Sequence, residues 1–357
     1  MEIGTIIKKY RRERDMTQEQ LSEYLRVSVS AVSQWESGKT APDLSAIPAI
    51  CNLFGISADE LLGIDREHKQ EKIDEIVENA SRYSDRGYMT EAEKVLEAGL
   101  REYPDSYDLM ESLMNVKFYQ NNWDEVIRLG NRILEGCTED RIRDSAKQTI
   151  CFAYQNKGDL DKAREIAVKL PKIWITRDVL LSHLPGNDGQ TSKQKLIQQL
   201  LDMLTTKMCE NKLLDDGSNA YTVDEMAVIH HKCLALFELL IEDGNYVFYH
   251  CRVEEIHHWL ASYYARRKDT EHTLHHLSRA AEHAIRFDQC EGAGDFTCLL
   301  LRGNGTGHFS TSTTENNAKQ ELDHLSSPTF DFLRDTPEFA AILAKLEPVA
   351  GEWTVRE

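Results

Sequence analysis

The stretch that decides the fold runs from Thr17 to Lys39 and reads TQEQLSEYLRVSVSAVSQWESGK. Its pattern predicts two short helices joined by a tight turn and followed by a loop. Thr17 and Ser28 occupy N-cap positions, and Gln20 lies three residues after Thr17, where it completes a capping box. A helix pair of this kind holds one helix end rigidly against base-pair edges, so the stretch points to DNA binding.

Apolar side chains in this stretch recur at helical spacing and predict a buried seam between the two helices. The seam consists of Leu21, Tyr24, Leu25, Val32 and Trp35. The same spacing leaves a short, mostly polar set pointing outward from the second helix, namely Val29, Ser30, Ser33 and Gln34. Side chains of this size and polarity can enter a major groove.

The flanking residues extend the prediction to five short helices within about 63 residues. An apolar stripe at 3–10 predicts a first helix whose opposite side carries a basic cluster from Lys8 to Arg14. Residues 44–54 predict a fourth helix ended by Gly55, and a second capping box begins at Ser57 and precedes a fifth. Such a region is close to the lower size limit for a self-supporting core.

These motifs resemble the Cro/repressor-type (Xre-family) helix-turn-helix domain over roughly residues 3–63. The similar segments are QEQL at 18–21, VS at 27–28, WESGKTAP at 35–42 and GISADELL at 55–62. The resemblance implies that base edges are read by Val29, Ser30, Ser33 and Gln34. It also implies that phosphates are held by a second set, namely Gln18, Ser28, Lys39, Lys8 and Arg12.

Two further positions take a meaning from this resemblance. Arg11 and Glu36 match positions that form a structural ion pair in the family, so Arg11 is expected to support the fold and not to contact DNA. Arg26 stands where the family usually has glycine. It either adopts a left-handed backbone at some energetic cost or its side chain contacts a phosphate.

Composition and charge limit the classes of partner. The chain has 42 basic and 60 acidic residues, a net charge of -18. Residues 1–65 contain 7 basic and 10 acidic residues, a net charge of -3, so neither part is a general polyanion binder. DNA affinity must then come from the local basic helix end and from two copies acting together. The eight scattered cysteines and the absence of a signal or membrane-length apolar run predict a cytoplasmic protein with reduced thiols.

An internal repeat follows the N-terminal region. Segments GYMTEA at 87–92, NNWDEV at 121–126 and GDLDKA at 158–163 recur at spacings of 34 and 37 residues, and KDTEHT at 268–273 is a weaker copy. Small residues and tyrosines recur at fixed offsets before three of these segments. The pattern resembles the tetratricopeptide repeat, a helix hairpin that stacks into a right-handed α-solenoid.

The predicted fold is therefore all-α. The domains are a five-helix DNA-binding domain at 1–65, a linker at 66–72, tetratricopeptide-like repeats at 73–290, an irregular and mobile segment at 291–317, and capping helices at 318–357. Helical segments at 192–210 and 223–243 form an irregular pair within the repeats. Gly186 to Thr191 is expected to be a loop.

The combination of the two domains resembles the peptide-responsive regulators of Gram-positive bacteria, the Rgg and PlcR type. This resemblance implies a homodimer that binds double-stranded DNA and a short peptide or protein in the groove of its repeats. Asn79, Asn115 and Gln148 are candidates for clamping a peptide backbone. The alternative is an interaction scaffold in which the repeats hold a protein and the N-terminal domain only localises it or contacts protein.

Histidines are unusually dense between 230 and 283. Exposed or hydrogen-bonded helix histidines are the favoured interpretation, with pH or metal sensing as alternatives. No set of residues converges by spacing on a catalytic, cofactor or metal site. The sequence therefore predicts a protein that is not an enzyme and that has no cofactor and no metal.

Overall fold

The computed structural model describes residues 3–63, 66–214, 216–307 and 313–355, with the side chains of 66–68 left aside. The chain divides into two compact units. We call Met1–Ile76 the head and Val77–Glu357 the body. The boundary falls inside one helix, Arg66–Ser84, so the predicted linker at 66–72 forms the first turns of that helix.

The head contains the five helices expected from the sequence. They are α1 (Ile3–Glu13), α2 (Gln18–Leu25), α3 (Val29–Glu36), α4 (Ile47–Phe54) and α5 (Ala58–Leu62), with a short 3₁₀ turn at Leu44–Ala46 before α4. Thr17 and Gln20 form the predicted capping box of α2, and Ser28 caps α3 by accepting from the Ala31 N–H at 3.1 Å. These caps satisfy backbone donors that the first helical turn leaves unpaired.

The head core is small and lies where the helices meet. Ile7, Leu21, Val32, Ile50 and Leu61 are fully buried and come one from each helix. Side chains of this size stabilise a fold by roughly 1.5–3 kcal/mol each when buried. Five helices thus share one apolar centre, which fixes α2 against α3.

The turn between α2 and α3 depends on a left-handed residue. Arg26 has φ 57° and ψ 40°, and its N–H donates to the carbonyls of Glu23 and Ser22. The left-handed alternative predicted for this position is confirmed. Only glycine adopts this backbone at no steric cost, so Arg26 carries a small local strain.

The body begins with helices in hairpin order. They are α6 (Arg66–Ser84), α7 (Met89–Glu102), α8 (Tyr107–Tyr119), α9 (Trp123–Gly136), α10 (Asp140–Asn156) and α11 (Leu160–Ala167). Consecutive helices from α7 to α11 pack on one another, and α8 also packs on α10, the helix two places along the chain. Packing of one hairpin's first helix on the next hairpin's first helix is what a repeated helix hairpin requires.

The second part of the body contains longer helices. They are α12 (Arg177–Leu181), α13 (Gly186–Cys209), α14 (Val223–Leu240), α15 (His250–Arg266) and α16 (Thr270–Cys290), with 3₁₀ turns at Ile173–Ile175 and Val247–Tyr249. The expectation of a loop from Gly186 to Thr191 is wrong, because these residues form the first turns of α13. Pro185 stands at the N-cap of this helix, and its extended backbone starts the helix six residues earlier than the polar composition suggested.

The C-terminal part covers the last long hairpin. A two-residue antiparallel ladder pairs β1 (Gly294–Asp295) with β2 (Gly305–Thr306), and α17 (Asn317–Leu325), a 3₁₀ turn at Pro328–Leu333 and α18 (Pro337–Leu346) follow. Between the two strands, Phe296 and Leu301 are buried in the core. Residues 308–312 of the segment predicted to be mobile lie outside the described residues. Phe330, Phe339 and Leu346 pack with the alanines of α15 and α16.

The turn between α6 and α7 contacts the end of the body. The Arg86 guanidinium pairs with Glu291 and lies over the Trp353 ring, 4.9 Å from its centroid. The Tyr88 hydroxyl donates to the Trp353 carbonyl at 3.1 Å. Helices that local pattern predicts are therefore joined by contacts that no local pattern contains. The all-α class is confirmed, and the right-handed solenoid stays a prediction.

All eight cysteines are free thiols. Of the helices that the structure describes, none is both long and apolar enough to cross a lipid bilayer.

Candidate functional site

The outward face of α3 is open to solvent along its length. Val29, Ser30, Ser33 and Gln34 are all exposed, whereas Val32 and Trp35 on the opposite side are buried in the head core. Across the part of the chain that the structure describes, the side chains of Ser30, Ser33 and Gln34 form no hydrogen bond of their own. The four predicted base-reading residues therefore share one face, and their polar atoms are free to bond.

A buried ion pair holds α3 in place. The Arg11 guanidinium donates to the two Glu36 carboxylate oxygens, from Nε at 2.6 Å and from Nη2 at 3.0 Å. Gln18 Nε2 donates to Glu36 Oε2 at 3.0 Å. Burial works to raise the pKa of the Glu36 carboxyl, but these hydrogen bonds outweigh it and hold that pKa below its ordinary value. The structural role predicted for Arg11 is confirmed.

The residues predicted to hold phosphates are placed less uniformly. Ser28, Lys39 and Arg12 are exposed, while Lys8 and Gln18 are half-buried. Gln18 is the first residue of α2, so its amide lies beside the unpaired N–H groups of that helix end. An amide has two N–H bonds, and Glu36 accepts from the Gln18 amide. One N–H bond of Gln18 is thus available for another acceptor.

A groove in the body brings two of the three predicted peptide-clamping residues together. Its volume is about 460 Å³, and it is lined by side chains of α6, α7, α8 and α10. Asn115 on α8 and Gln148 on α10 line the groove, with Phe118, Tyr119 and Phe152 beside them. Asn79 is exposed on α6 but is not among the lining residues.

The sequence model of the helix-turn-helix family matches residues 7–61. Over 62 residues the chain is 42% identical to the HTH-type transcriptional activator BcrR of Enterococcus faecalis, which covers 17% of this chain and 30% of BcrR. Over 74 residues it is 31% identical to YonR of Bacillus subtilis (strain 168), a prophage-derived, uncharacterized HTH-type transcriptional regulator. That match covers 21% of this chain and 67% of YonR. The chain belongs to the helix-turn-helix family of transcriptional regulators.

The chain spans less than a third of the length of BcrR. Two solved structures align with most of the chain. Bacillus thuringiensis PlcR, in complex with the peptide PapR7 and DNA, is 17% identical with a TM-score of 0.31 over 82% of this chain and 96% of its own. ComR of S. thermophilus, in complex with DNA and its signalling peptide ComS, is 14% identical with a TM-score of 0.26 over 80% and 94%. TM-scores this low do not establish a shared arrangement of helices.

Buried histidines in the body form a group that the sequence did not predict as buried. His250 Nδ1 lies 2.9 Å from His283 Nδ1, and His257 Nδ1 lies 2.9 Å from His276 Nδ1. Each contact needs one ring to donate and the other to accept, which two neutral imidazoles satisfy. Burial is the main cause that lowers their pKa values, to about 4 for His250, 3 for His257, 4 for His276 and 2 for His283.

The histidine pairs join α15 to α16, and the sequence contains a spacing that is consistent with them. His250 and His257 are seven residues apart on α15, and His276 and His283 have the same spacing on α16. Seven residues are close to two helical turns, so each pair shares one face of its helix. The spacing alone does not predict that the histidines of α15 contact those of α16. That prediction also requires knowing that the two helices pack antiparallel with these faces together.

Proposed function

We propose that the chain is a sequence-specific, DNA-binding transcription regulator of the cytoplasm that acts as a dimer. The observation that carries the proposal is the exposed face of α3. Val29, Ser30, Ser33 and Gln34 present short side chains to solvent from a helix held rigidly by the Arg11–Glu36 pair. A rigid helix with free polar side chains can place them against the base edges of a major groove.

Phosphate contacts would orient this helix. Ser28 and Lys39 flank α3 on its N-terminal and C-terminal sides, and Gln18 stands at the N-terminus of α2. Lys8 and Arg12 on α1 add positive charge. Contacts of this kind fix register on the duplex but carry no sequence information. They also make the affinity for DNA fall as the salt concentration rises, because about one counterion is released for each phosphate neutralised.

A dimer follows from the charge of the head. Its first 65 residues have a net charge of -3, so a single head gains little from general attraction to DNA. Two heads on one face of the duplex would place their α3 helices roughly 34 Å apart. The proposal assigns dimer formation to the body, whose net charge of -14 disfavours direct contact with DNA.

The body would regulate the heads by binding a short peptide. The groove between α6, α8 and α10 offers amides at Asn115 and Gln148 for a peptide backbone and aromatic rings for its side chains. A ligand changes DNA binding only if it has different affinities for two arrangements of the dimer. This proposal has no catalytic step.

The experiment that tests the DNA-binding proposal is the selection of bound duplexes from a random pool by purified full-length protein, with light scattering on the complex. The expected result is a two-fold symmetric site bound by two chains. The proposal fails if no duplex is preferred at low salt. If one protein co-purifies stoichiometrically and no duplex is selected, the chain is an interaction scaffold.

Two variants separate base reading from phosphate binding. Gln34→Ala is expected to relax preference at one position and to cost roughly 1–3 kcal/mol on the selected site. Lys39→Ala is the matched control, and it should weaken binding uniformly and lower the salt slope by about one. Equal discrimination by Gln34→Ala and the unmodified protein would remove Gln34 from the reading face.

A further inference from the structure

The carboxylate of Glu321 is fully buried between two imidazoles. His258 Nδ1 on α15 lies 3.0 Å from Glu321 Oε2, and His324 Nδ1 on α17 lies 3.7 Å from the same oxygen. One ligand atom from each of the three residues lies within 4.8 Å of the other two. These residues belong neither to the exposed face of α3 nor to the groove.

One oxygen of this buried carboxylate lacks a suitable donor. Within the described residues, Glu321 Oε2 accepts no hydrogen bond, since the contact with His258 that has hydrogen-bond geometry goes to Oε1 at 3.4 Å. A buried carboxylate oxygen without a partner is energetically costly and is uncommon in folded proteins. Such an oxygen, 3.0 Å from the nearer ring nitrogen, calls for a positively charged partner, which is either a protonated imidazole or a metal ion.

We propose that His258, Glu321 and His324 bind a divalent transition-metal ion, for which zinc is the best fit. Two imidazoles and one carboxylate are a common protein ligand set for zinc. With metal–ligand bonds of about 2.0–2.2 Å, neighbouring ligands of a tetrahedral zinc lie about 3.4 Å apart. The separations of 3.0 and 3.7 Å to Glu321 lie on either side of this value.

The surrounding structure holds the ligands in position. The Asp288 carboxylate accepts from the Asn317 and Ala318 N–H groups at 2.9 and 2.8 Å and so fixes the N-terminus of α17. Ala318 and Leu325 on the same helix are buried in the core that α15 and α16 share with the C-terminal helices. Glu321 therefore cannot move away from α15 without exposing apolar surface.

The exposed side of the site lets an ion enter, and binding of the ion should stabilise the body. The His324 side chain is 56% exposed, so an ion can enter from solvent on that side and keep one position for water. The ion would join α15 to α17, whose ligands are 63 residues apart in sequence. Because the site requires both helices in place, metal binding stabilises the folded body over the unfolded chain.

The test uses untagged full-length protein and Co²⁺, because tetrahedral Co²⁺ with nitrogen and oxygen ligands absorbs visible light. One equivalent is expected to give a tetrahedral spectrum, and Zn²⁺ should displace it. His324→Ala is the main variant, since an exposed side chain can be removed without unfolding the protein. Its affinity should fall by more than about 100-fold, because losing even a partner of a ligand costs about 10- to 100-fold.

His272→Ala is the matched control. The His272 side chain is 55% exposed on α16 and pairs with Asp269, so it tests non-specific binding by a surface imidazole. It should leave affinity unchanged. A second readout needs no variant, because Zn²⁺ should slow hydrogen exchange in residues 316–327 and leave the head unaffected. The proposal is overturned if one equivalent gives no tetrahedral spectrum, if His324→Ala binds as tightly as the unmodified protein, or if both variants weaken binding equally.

Discussion

The head and the body are both helical, but interactions over very different distances along the chain hold them together. In the head, the caps at Thr17 and Ser28 bond to backbone groups three residues away, and the Arg11–Glu36 pair spans 25 residues. In the body, Arg86 pairs with Glu291 and Tyr88 bonds to Trp353, across 205 and 265 residues. A short-range structure can be read from neighbouring residues, whereas a long-range structure cannot.

The two regions also differ in the ionisable groups that they bury. Residues 1–63 contain no histidine, and their buried ion pair, Arg11 with Glu36, is fully matched. All 13 histidines lie at 68 and beyond, and the four that pair between α15 and α16 are held neutral. The regions should therefore respond differently to acid and to single substitutions.

The largest expected effect comes from pH. Each paired histidine, His250, His257, His276 and His283, has a folded pKa of about 4 or lower, below the ordinary value of 6.5. The unfolded chain then binds more protons, so stability is complete above pH 6.5 and falls as pH decreases below it. From pH 7.5 to 5.5 the loss is about 1.4 kcal/mol for each histidine. Hydrogen exchange, corrected for the intrinsic rate at each pH, should show it in residues 250–290.

Neighbouring charged groups set the net size of this effect. Those that face the histidines are Arg279, Arg286, His231, His272, His275, Tyr246 and Glu238. Burial raises the pKa of Asp288 to about 6, which works in the opposite direction and offsets about 1 kcal/mol. Burial, with the Glu321 carboxylate, raises the pKa of Glu254 well above its ordinary value, which works in the same direction as Asp288. The body should thus lose at most about 4.6 kcal/mol while residues 3–63 keep their protection. Equal losses in both regions would contradict the assignment to histidine.

The next largest effect should come from the head. Glu36→Gln keeps the shape of the side chain but leaves the Arg11 guanidinium without a counter-charge, with 12% of its side chain exposed. Removing one partner of a buried pair should destabilise the head by about 3 kcal/mol. Segment-resolved hydrogen exchange should show faster exchange in α1 to α3 and an unchanged exchange rate in the body. Arg128→Gln is the control, since the Arg128 side chain is 58% exposed and its pair with Glu125 contributes little.

Sequence reasoning predicted the head more completely than the body. In the head, the capping box at Thr17, the left-handed Arg26 and the Arg11–Glu36 pair could all be predicted. Only the capping box was read from residues within four positions, whereas the Arg11–Glu36 pair and the left-handed alternative for Arg26 came from resemblance to a family. The exposed face of α3 followed from helical spacing alone.

In the body, sequence reasoning predicted the helices better than their contacts. Helical spacing placed the hairpins, yet it treated Gly186 to Thr191 as a loop because polar residues there hide a helix start at Pro185. It placed His258 among exposed or hydrogen-bonded helix histidines, with pH or metal sensing as alternatives. His324 and Glu321 went unnoticed, because the relation between α15 and α17 depends on packing across some sixty residues of chain.

A smaller effect tests whether the groove of the body binds peptide. Asn115→Ala removes an amide that lines the groove, and the loss of one neutral hydrogen bond costs about 1 kcal/mol, or roughly fivefold in affinity. The probe is a peptide selected on the purified protein from a random display library. Asn79→Ala is the control, because this exposed amide lies outside the groove lining. Equal losses in both variants would place the peptide elsewhere.

The smallest expected effect concerns Arg26, where the sequence left two alternatives. Its φ of 57° predicts that Arg26→Gly relieves a left-handed strain and stabilises the head by about 0.5–1 kcal/mol, after the extra freedom of glycine in the unfolded chain is subtracted. Arg26→Ala is the control, because it removes the charge but keeps the Cβ atom that causes the strain. If the side chain also contacts a phosphate, both variants lower the salt slope of DNA binding by about one. Stabilisation by glycine but not by alanine separates backbone strain from charge, and equal stability of the two variants would show that position 26 is not strained.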